Sequence, residues 1–144
     1  MTPIHYQRFF SPTEEQLAPV RLGLHRYNLA HVGQESIEKY LRFVIQAINA
    51  SEEVIGGIHA EMFWDWMYIR DLWITESERG QGIGTRLLAQ AEETARETGF
   101  FKSHLETTEY QARDFYKKFG YVIFGELPDK PKGHTWYYMK KDLI

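Results

Sequence analysis

Apolar and polar positions in the middle of the chain follow a strand-like pattern. The short apolar run at 40–48, YLRFVIQAI, is followed by the polar turn NASEE, and a second run, VIGGIHAEMFW, covers 54–64. Asp65-Trp66 marks another turn, after which MYIRDLWI covers 67–74. Runs of this length between turn signals are typical of strands, so we predict a three-stranded meander.

The N-terminal part predicts a strand and a helix. IHYQRFF at 4–10 is β-prone, and Ser11 then reads as a helix N-cap, with Pro12 at the first helical position and Glu14 completing a capping box. A helical stripe continues as far as Gly33. Its apolar members are Leu17, Val20, Leu24, Tyr27 and Leu29.

The C-terminal half alternates helices and strands. A helix begins near Ile83 and stops at Gly99, a strand covers 100–108, and a short helix covers 110–120. Two further strands, 121–127 and 134–143, are joined by the loop PDKPKG. The predicted order is β α β β β α β α β β, a mixed α/β or α+β plan.

Composition narrows the class of protein. The 144 residues have a net charge of -3 and no cysteine, which excludes disulfides, thiolate metal sites and a cysteine nucleophile. The six histidines are scattered, so we expect no metal. Neither nucleic acid nor a membrane is an expected partner, and the N-terminus lacks a signal pattern. We expect a cytoplasmic protein with a single domain over residues 1–144.

The segment RGQGIG at 79–84 stands where a strand gives way to a helix. The first N–H groups of a helix have no partner inside it and lie at the positive end of the helix dipole. Gly80, Gly82 and Gly84 would let an anion approach these groups, and Arg79 adds a cation. The segment therefore predicts a phosphate or pyrophosphate site, with a tight turn as the structural alternative.

Two known phosphate motifs do not fit this segment. The P-loop requires Lys followed by Ser or Thr directly after its glycines, and neither pair follows the glycines of this segment. The dinucleotide fingerprint requires G-x-G-x-x-G, but Thr85 occupies the position of the last glycine.

The residues resemble the GCN5-related N-acetyltransferase (GNAT) family. Arg79-x-x-Gly82-x-Gly84 matches its acetyl-CoA-binding motif, Q/R-x-x-G-x-G/A. The segment EYQARDFYKKFGY matches its second signature at five positions: Ala112, Phe115, Tyr116, Gly120 and Tyr121. The resemblance covers about residues 40–142 well and the first 35 only in outline. It implies a mixed, mostly antiparallel central sheet of about six or seven strands flanked by helices.

This resemblance also implies a cosubstrate and its contacts. Acetyl-CoA would bind with its pyrophosphate on the loop and helix start formed by Arg79, Gly80, Gln81, Gly82, Ile83, Gly84 and Thr85. A main-chain N–H of Leu72 or Trp73 would stabilise the carbonyl oxygen of the acetyl group, an effect typically worth about 3 kcal/mol. The strand around Ile74 would pair with the pantetheine arm.

Tyr116 matches the tyrosine that many family members use as a general acid. A phenol stays protonated at neutral pH and can serve a leaving thiolate. The alternative is a packing role, since Phe115, Tyr116 and Phe119 together look like the buried face of a helix.

A base for the acceptor amine is the least determined part of the site. Strand alternation puts His104, Glu106 and Thr108 on one face. We predict that Glu106 takes the proton, directly or through water. His104, Glu61 and Asp71 are competing candidates, and each could instead be a solvated surface residue.

One position departs from the family pattern. Glu109 stands where the second signature often has Asn, which puts that local contact in doubt but not the fold.

The predicted activity is N-acetylation of a primary amine on a small molecule or peptide, by direct transfer in a ternary complex. A non-catalytic CoA-binding or sensing module and a nucleotide-binding protein are the alternatives. The aromatic C-terminal hairpin also allows a homodimer.

Overall fold

The computed structural model describes residues 2–144 and divides the chain into two compact units. The first ends at Glu38, and the second spans Lys39–Ile144. The single domain predicted over residues 1–144 stays a prediction. Among the described residues, no helix is both long and apolar enough to cross a membrane.

The first unit is helical, with α1 at Glu14–Val32 and α2 at Gln34–Glu38. The strand predicted at 4–10 is wrong: this stretch is irregular and pairs with no strand among residues 2–144. A β-prone run becomes a strand only where another strand accepts its hydrogen bonds, and sequence pattern alone does not provide one. The short helix α2 was not predicted.

Helix α1 begins two residues later than predicted. Its N-cap is Thr13, whose hydroxyl accepts from the Gln16 N–H at 3.2 Å while Gln16 Oε1 accepts from the Thr13 N–H at 2.9 Å. This capping box replaces the one predicted at Ser11, which has a left-handed φ of 51°. The predicted end is confirmed, since Gly33 caps the helix and its N–H bonds the Leu29 carbonyl.

The second unit is built on a six-stranded, mostly antiparallel sheet in the order β1-β2-β3-β4-β6-β5. Only the central pair, β3 and β4, is parallel. The strands are β1 Leu41–Ile48, β2 Val54–Phe63, β3 Trp66–Ile74, β4 Lys102–Thr108, β5 Val122–Pro128 and β6 Thr135–Asp142. The six strands and their mostly antiparallel order agree with the predicted fold class.

The tip of the β2–β3 hairpin lies one residue earlier than predicted. Trp64 and Asp65 form the turn with φ values of 49° and 71°, and Trp66 is already the first residue of β3. Positive φ at both central residues is the geometry that matches the twist of paired strands.

Two helices cover one face of the sheet, α3 at Ile83–Glu97 and α4 at Arg113–Lys118. Helix α3 is amphipathic, and its buried stripe packs on β1, β2 and β3. The shared core contains Ile58, Ala60, Met62, Met67, Ile69, Leu87, Leu88, Ala91, Ala95, Leu105, Tyr116, Tyr121 and Met139.

A charged cluster is buried in the same layer. Glu92 on α3 is only 2% exposed, and its carboxylate accepts from Lys141 Nζ at 2.8 and 3.1 Å. The Tyr121 hydroxyl lies 3.0 Å from Glu92 Oε2 and 2.8 Å from Ser103 Oγ, and Arg96 adds a second cation 3.7 Å from Glu92 Oε1. The buried charge is therefore both neutralised and hydrogen-bonded, as burial requires.

Candidate active site

A break in the pairing of β3 and β4 opens the sheet. The two strands are paired at only three positions, the last of which is Ile69 with Leu105. Beyond that point both strands continue, to Ile74 and Thr108, without pairing with each other. The edges of both strands are left facing the gap.

Strand β3 has a bulge at Arg70, directly after the last residue that pairs with β4. His59 pairs with Asp71 while Ala60 pairs with Ile69, so Arg70 is an extra residue on β3. Before the bulge, Met67 and Ile69 point into the core, whereas after it the half-buried side chains are those of Leu72 and Ile74. The side chains that face the core are therefore those of odd-numbered residues before the bulge and of even-numbered residues after it.

Main-chain groups of β3 face the gap at alternate residues. The Thr75 N–H bonds the Ile55 carbonyl at 2.8 Å, which makes Trp73 and Gly57 the next hydrogen-bonded pair. The N–H and C=O groups of Leu72 and Ile74 then point away from β2. Arg79 Nε donates to the Ile74 carbonyl at 2.9 Å, in agreement with this direction. Of the two predicted oxyanion donors, only the N–H of Leu72 has this direction.

The gap forms a cleft of about 730 Å³ within the second unit. Its lining includes every predicted site residue except Gln81: Leu72, Trp73, Ile74, Arg79, Gly80, Gly82, Ile83, Gly84, Thr85, Glu106 and Tyr116. The Gln81 side chain instead donates to Glu78 Oε2 at 3.1 Å. Of the competing bases, Asp71 lines the cleft, whereas Glu61 and His104 lie outside its lining.

The start of helix α3 forms one end of the cleft. Gly82 is its N-cap with a φ of 80°, and an added Cβ at Gly80 or Gly82 would meet no heavy atom within 4 Å. No acidic residue lies in the first turn of α3. The N–H groups of this turn are therefore open to an anion such as a pyrophosphate, which is the fit that acetyl-CoA requires.

Gly84 has a different physical role from the other two glycines. A Cβ at this position would lie 3.2 Å from Ile74 Cδ1 and 3.5 Å from Phe115 Cζ. The absence of a side chain there allows α3 to pack closely against β3 and α4. Gly84 thus brings the helix start and strand edge together.

Tyr116 is a packing residue that also lines the cleft, and its role as a general acid stays a prediction. It is only 5% exposed and packs edge-to-face against Phe115 and Tyr121, yet it also lines the cleft. Burial raises the pKa of its phenol well above 10. The hydroxyl therefore stays protonated at neutral pH, as a proton donor must.

Glu106 lies on the part of β4 that faces the cleft. Its Oε2 lies 2.9 Å from the Tyr68 hydroxyl. Behind it on the same strand, His104 stacks on Tyr68 with ring centroids 4.8 Å apart, and burial lowers the pKa of His104. Tyr68 was not singled out from the sequence, although its alternation places it on the same face as Glu106 once β3 and β4 are known to be parallel neighbours.

Glu109 makes a specific contact in place of the Asn expected there. Its carboxylate accepts from His134 Nδ1 at 2.8 Å and from the Thr135 N–H at 3.1 Å. Main-chain hydrogen bonding and the His134 contact hold the pKa of Glu109 below its usual value. Glu109 therefore fastens the β4–α4 connection, which carries the cleft residues Tyr110 and Gln111, to the β5–β6 hairpin.

Comparison with known proteins identifies relatives along most of the chain. The model of the acetyltransferase (GNAT) family matches residues 6–121. A blasticidin-S acetyltransferase of Streptomyces morookaense is 39% identical over 102 residues, covering 70% of this chain and 75% of that protein.

Two solved structures extend the comparison. An acetyltransferase from Bacillus cereus superposes with a TM-score of 0.87 at 28% identity, covering 94% of this chain and 97% of that chain. A candidate streptothricin acetyltransferase of Bacillus anthracis, in complex with acetyl coenzyme A, gives a TM-score of 0.65 at 29% identity. The match covers 75% of this chain and 66% of that chain.

Proposed function

The chain belongs to the acetyltransferase (GNAT) family, and from this membership we propose that it transfers an acetyl group from acetyl-CoA to a primary amine of a small molecule. The observation that carries this proposal is the cleft, where an open helix start, main-chain groups of β3 that point away from β2, Glu106 and Tyr116 line one space. The relatives with named acceptors act on antibiotics. An amine-bearing antibiotic of this kind is the acceptor that we propose to test first.

Acetyl-CoA would supply the acetyl group as a thioester. The N–H groups at the start of α3, with Gly80 and Gly82 beneath them, would hold its pyrophosphate. The exposed N–H of Leu72 would hold the carbonyl oxygen as negative charge develops on it.

The remaining residues would move protons. Glu106 would accept a proton from the acceptor ammonium, whose nitrogen then forms a bond to the acyl carbon while the carbon–sulfur bond breaks. The Tyr116 hydroxyl would donate a proton or a hydrogen bond to the departing sulfur. The balance is one amide, one CoA thiol and one proton released for each acetyl group moved.

The test is an acetylation assay with a panel of amines that includes blasticidin S, streptothricin, aminoglycosides, polyamines and short peptides. Release of the CoA thiol should be matched by an acetylated product in the mass spectrum. Binding of CoA without transfer to any of these amines would contradict the proposal and favour a CoA-binding module. Displacement of CoA by ATP would favour a nucleotide-binding protein instead.

A pair of glycine variants tests the cosubstrate site. Gly82 and Gly99 have φ values of 80° and 90° with no heavy atom within 4 Å of an added Cβ, so alanine strains both positions similarly. Saturating CoA at about 100 times its dissociation constant should stabilise the wild type and Gly99→Ala by roughly 2.7 kcal/mol. Gly82→Ala should lose most of this stabilisation. Equal stabilisation of both variants would place the pyrophosphate elsewhere.

The predicted cytoplasmic location and the homodimer stay predictions.

A further inference from the structure

The structure gives Glu106 a partner that the predicted mechanism did not include. Tyr68 lies on β3, where it pairs with His104 of β4, and Glu106 is two residues further along β4 on the same face. The Tyr68 hydroxyl donates to Glu106 Oε2 at 2.9 Å. This contact bridges the two strands at the point where their main-chain pairing stops.

Neighbouring side chains fix the orientation of the Tyr68 ring. His104 stacks on it at 4.8 Å with an interplanar angle of 20°, and Trp66 meets His104 edge-to-face at 5.6 Å. The Arg70 guanidinium lies 5.6 Å from the centre of the Tyr68 ring and 3.6 Å from Glu61 Oε2. The hydroxyl is therefore aimed at Glu106 by packing.

Tyr68 is the donor in this contact throughout the neutral range. Burial first, and then the hydrogen bond and charge of Glu106, raise the pKa of Tyr68 to about 12. Because the phenol keeps its proton, the oxygen of Glu106 that it contacts is the acceptor.

We propose that Tyr68 is a positioning residue for Glu106: it occupies Oε2 and leaves Oε1 to receive the proton of the acceptor amine. This inference rests on the proposed function. In the step it assists, an N–H bond of the ammonium breaks, an O–H bond forms on Glu106, and the Tyr68 O–H bond stays intact. The freed nitrogen lone pair then attacks the acyl carbon, and Glu106 later returns its proton to water.

The decisive measurement is the rate of transfer against pH for Tyr68→Phe. The ring and its stacking on His104 remain, but a hydrogen bond that favours the ionised carboxylate is lost. The acidic limb of the rate–pH profile should therefore move to higher pH by about one unit. On the plateau above this limb, kcat should change by a smaller factor than it does at pH values within the limb. A uniform loss of kcat with an unmoved limb would overturn the proposal.

A matched control removes the hydroxyl of the tyrosine that is paired with Glu106 across the neighbouring strand. Tyr138 lies directly opposite Glu106 on β6, and its ring packs near Phe124. Tyr138→Phe should leave the acidic limb in place. An equal movement of the limb in this control would mean that any nearby phenol has the effect, and would overturn the specific role of Tyr68.

The titratable and charged groups around Glu106 and Tyr68 lie on four strands. The groups that face Glu106 or Tyr68 are His104 on β4, Arg70 and Asp71 on β3, Glu61 on β2, and Tyr138 and Lys140 on β6.

Site-specific incorporation of fluorotyrosine at position 68 keeps all of these groups and makes the phenol a stronger donor. The limb should then move in the opposite direction, to lower pH, and this variant keeps the test available if Tyr68→Phe folds poorly.

A measurement without turnover separates this inference from the proposed function. The carboxyl carbon of Glu106, followed by NMR in the free protein, should titrate at higher pH in Tyr68→Phe than in the wild type. A shift in a protein that acetylates no amine would refute the proposed function but leave the contact intact. Transfer activity with no shift in either experiment would refute the role of Tyr68 alone.

Discussion

Two tyrosine–glutamate pairs in this protein share a chemistry and differ in surroundings. Tyr121 donates to Glu92 in the core, and Tyr68 donates to Glu106 at the cleft. Glu92 also has Lys141 at 2.8 Å and Arg96 at 3.7 Å, whereas no Lys or Arg among residues 2–144 forms an ion pair with Glu106. Glu92 is therefore neutralised by cations inside the core, whereas Glu106 is held by a phenol at the edge of the cleft.

The largest expected difference between the pairs is in stability. Glu92→Ala leaves the mostly buried Lys141 without its partner, and breaking such a pair costs about 3–5 kcal/mol. Glu106→Ala loses one hydrogen bond at the edge of the cleft, at a cost of about 1 kcal/mol. Urea unfolding of both variants measures the contrast, and similar losses would abolish the distinction between a structural and a reactive carboxylate.

Tyr116 lies between the two regions, since it packs on Tyr121 and lines the cleft. Tyr116→Phe keeps the ring and its packing, so stability should change little. Turnover should fall by about 10²-fold or more, the usual range for a general acid, while CoA affinity is retained. Steady-state kinetics with chemistry limiting the rate is the measurement, and an unaltered kcat would assign Tyr116 to the core alone.

Removal of the tyrosine hydroxyl from each pair tests the same difference in stability. Tyr121→Phe takes a partner from Ser103, which is fully buried, and from Glu92, so it should destabilise the fold by about 1–3 kcal/mol. Tyr68→Phe should cost less, because Glu106 can recover a hydrogen bond from water in the cleft. If thermal unfolding ranks the two variants in the reverse order, the cleft pair is the structural one.

The smallest expected effect is a pH dependence of stability at His104. Its pKa lies below the ordinary 6.5 because of burial, with the charge of Glu106 acting in the opposite direction. The unfolded chain then binds the proton more readily, so this contribution is complete above pH 6.5 and is lost as the pH falls towards the folded-state value. His104→Phe keeps a ring against Tyr68 and should show a shallower fall in Tm over this range. An unchanged slope would show that another group titrates.

Sequence pattern was sufficient for the elements that lie between strong turn signals. The strands at 40–48 and 54–64 and the helix from Ile83 were predicted within one or two residues of their observed bounds. The strand at 4–10 failed because strand formation depends on a distant partner, and the N-cap was misplaced because two overlapping capping patterns compete at Ser11 and Thr13.

Individual residues of the cleft could be predicted from the sequence more readily than their contacts with one another. The glycine segment was identified from residue type and spacing, Glu106 from strand alternation and Tyr116 from the family resemblance, and the structure brings them to one space. Tyr68 and the contact of Glu109 with His134 were missed because they depend on which strands and loops are neighbours. The bulge at Arg70 was missed as well, since a single extra residue leaves no mark on a short hydrophobic pattern.

The bulge at Arg70 has a consequence for tolerance to insertions and deletions. Deletion of this one residue would leave Asp71, Leu72 and Ile74 opposite their present partners on β2 and facing the same way, but it would remove the bulge and with it the local bend of β3 beside the cleft. The β5–β6 connection around Lys132, in contrast, is exposed and can change length without altering any strand. In alignments of relatives, a gap at position 70 should therefore mark a change in the shape of the cleft, whereas gaps near position 132 should be neutral.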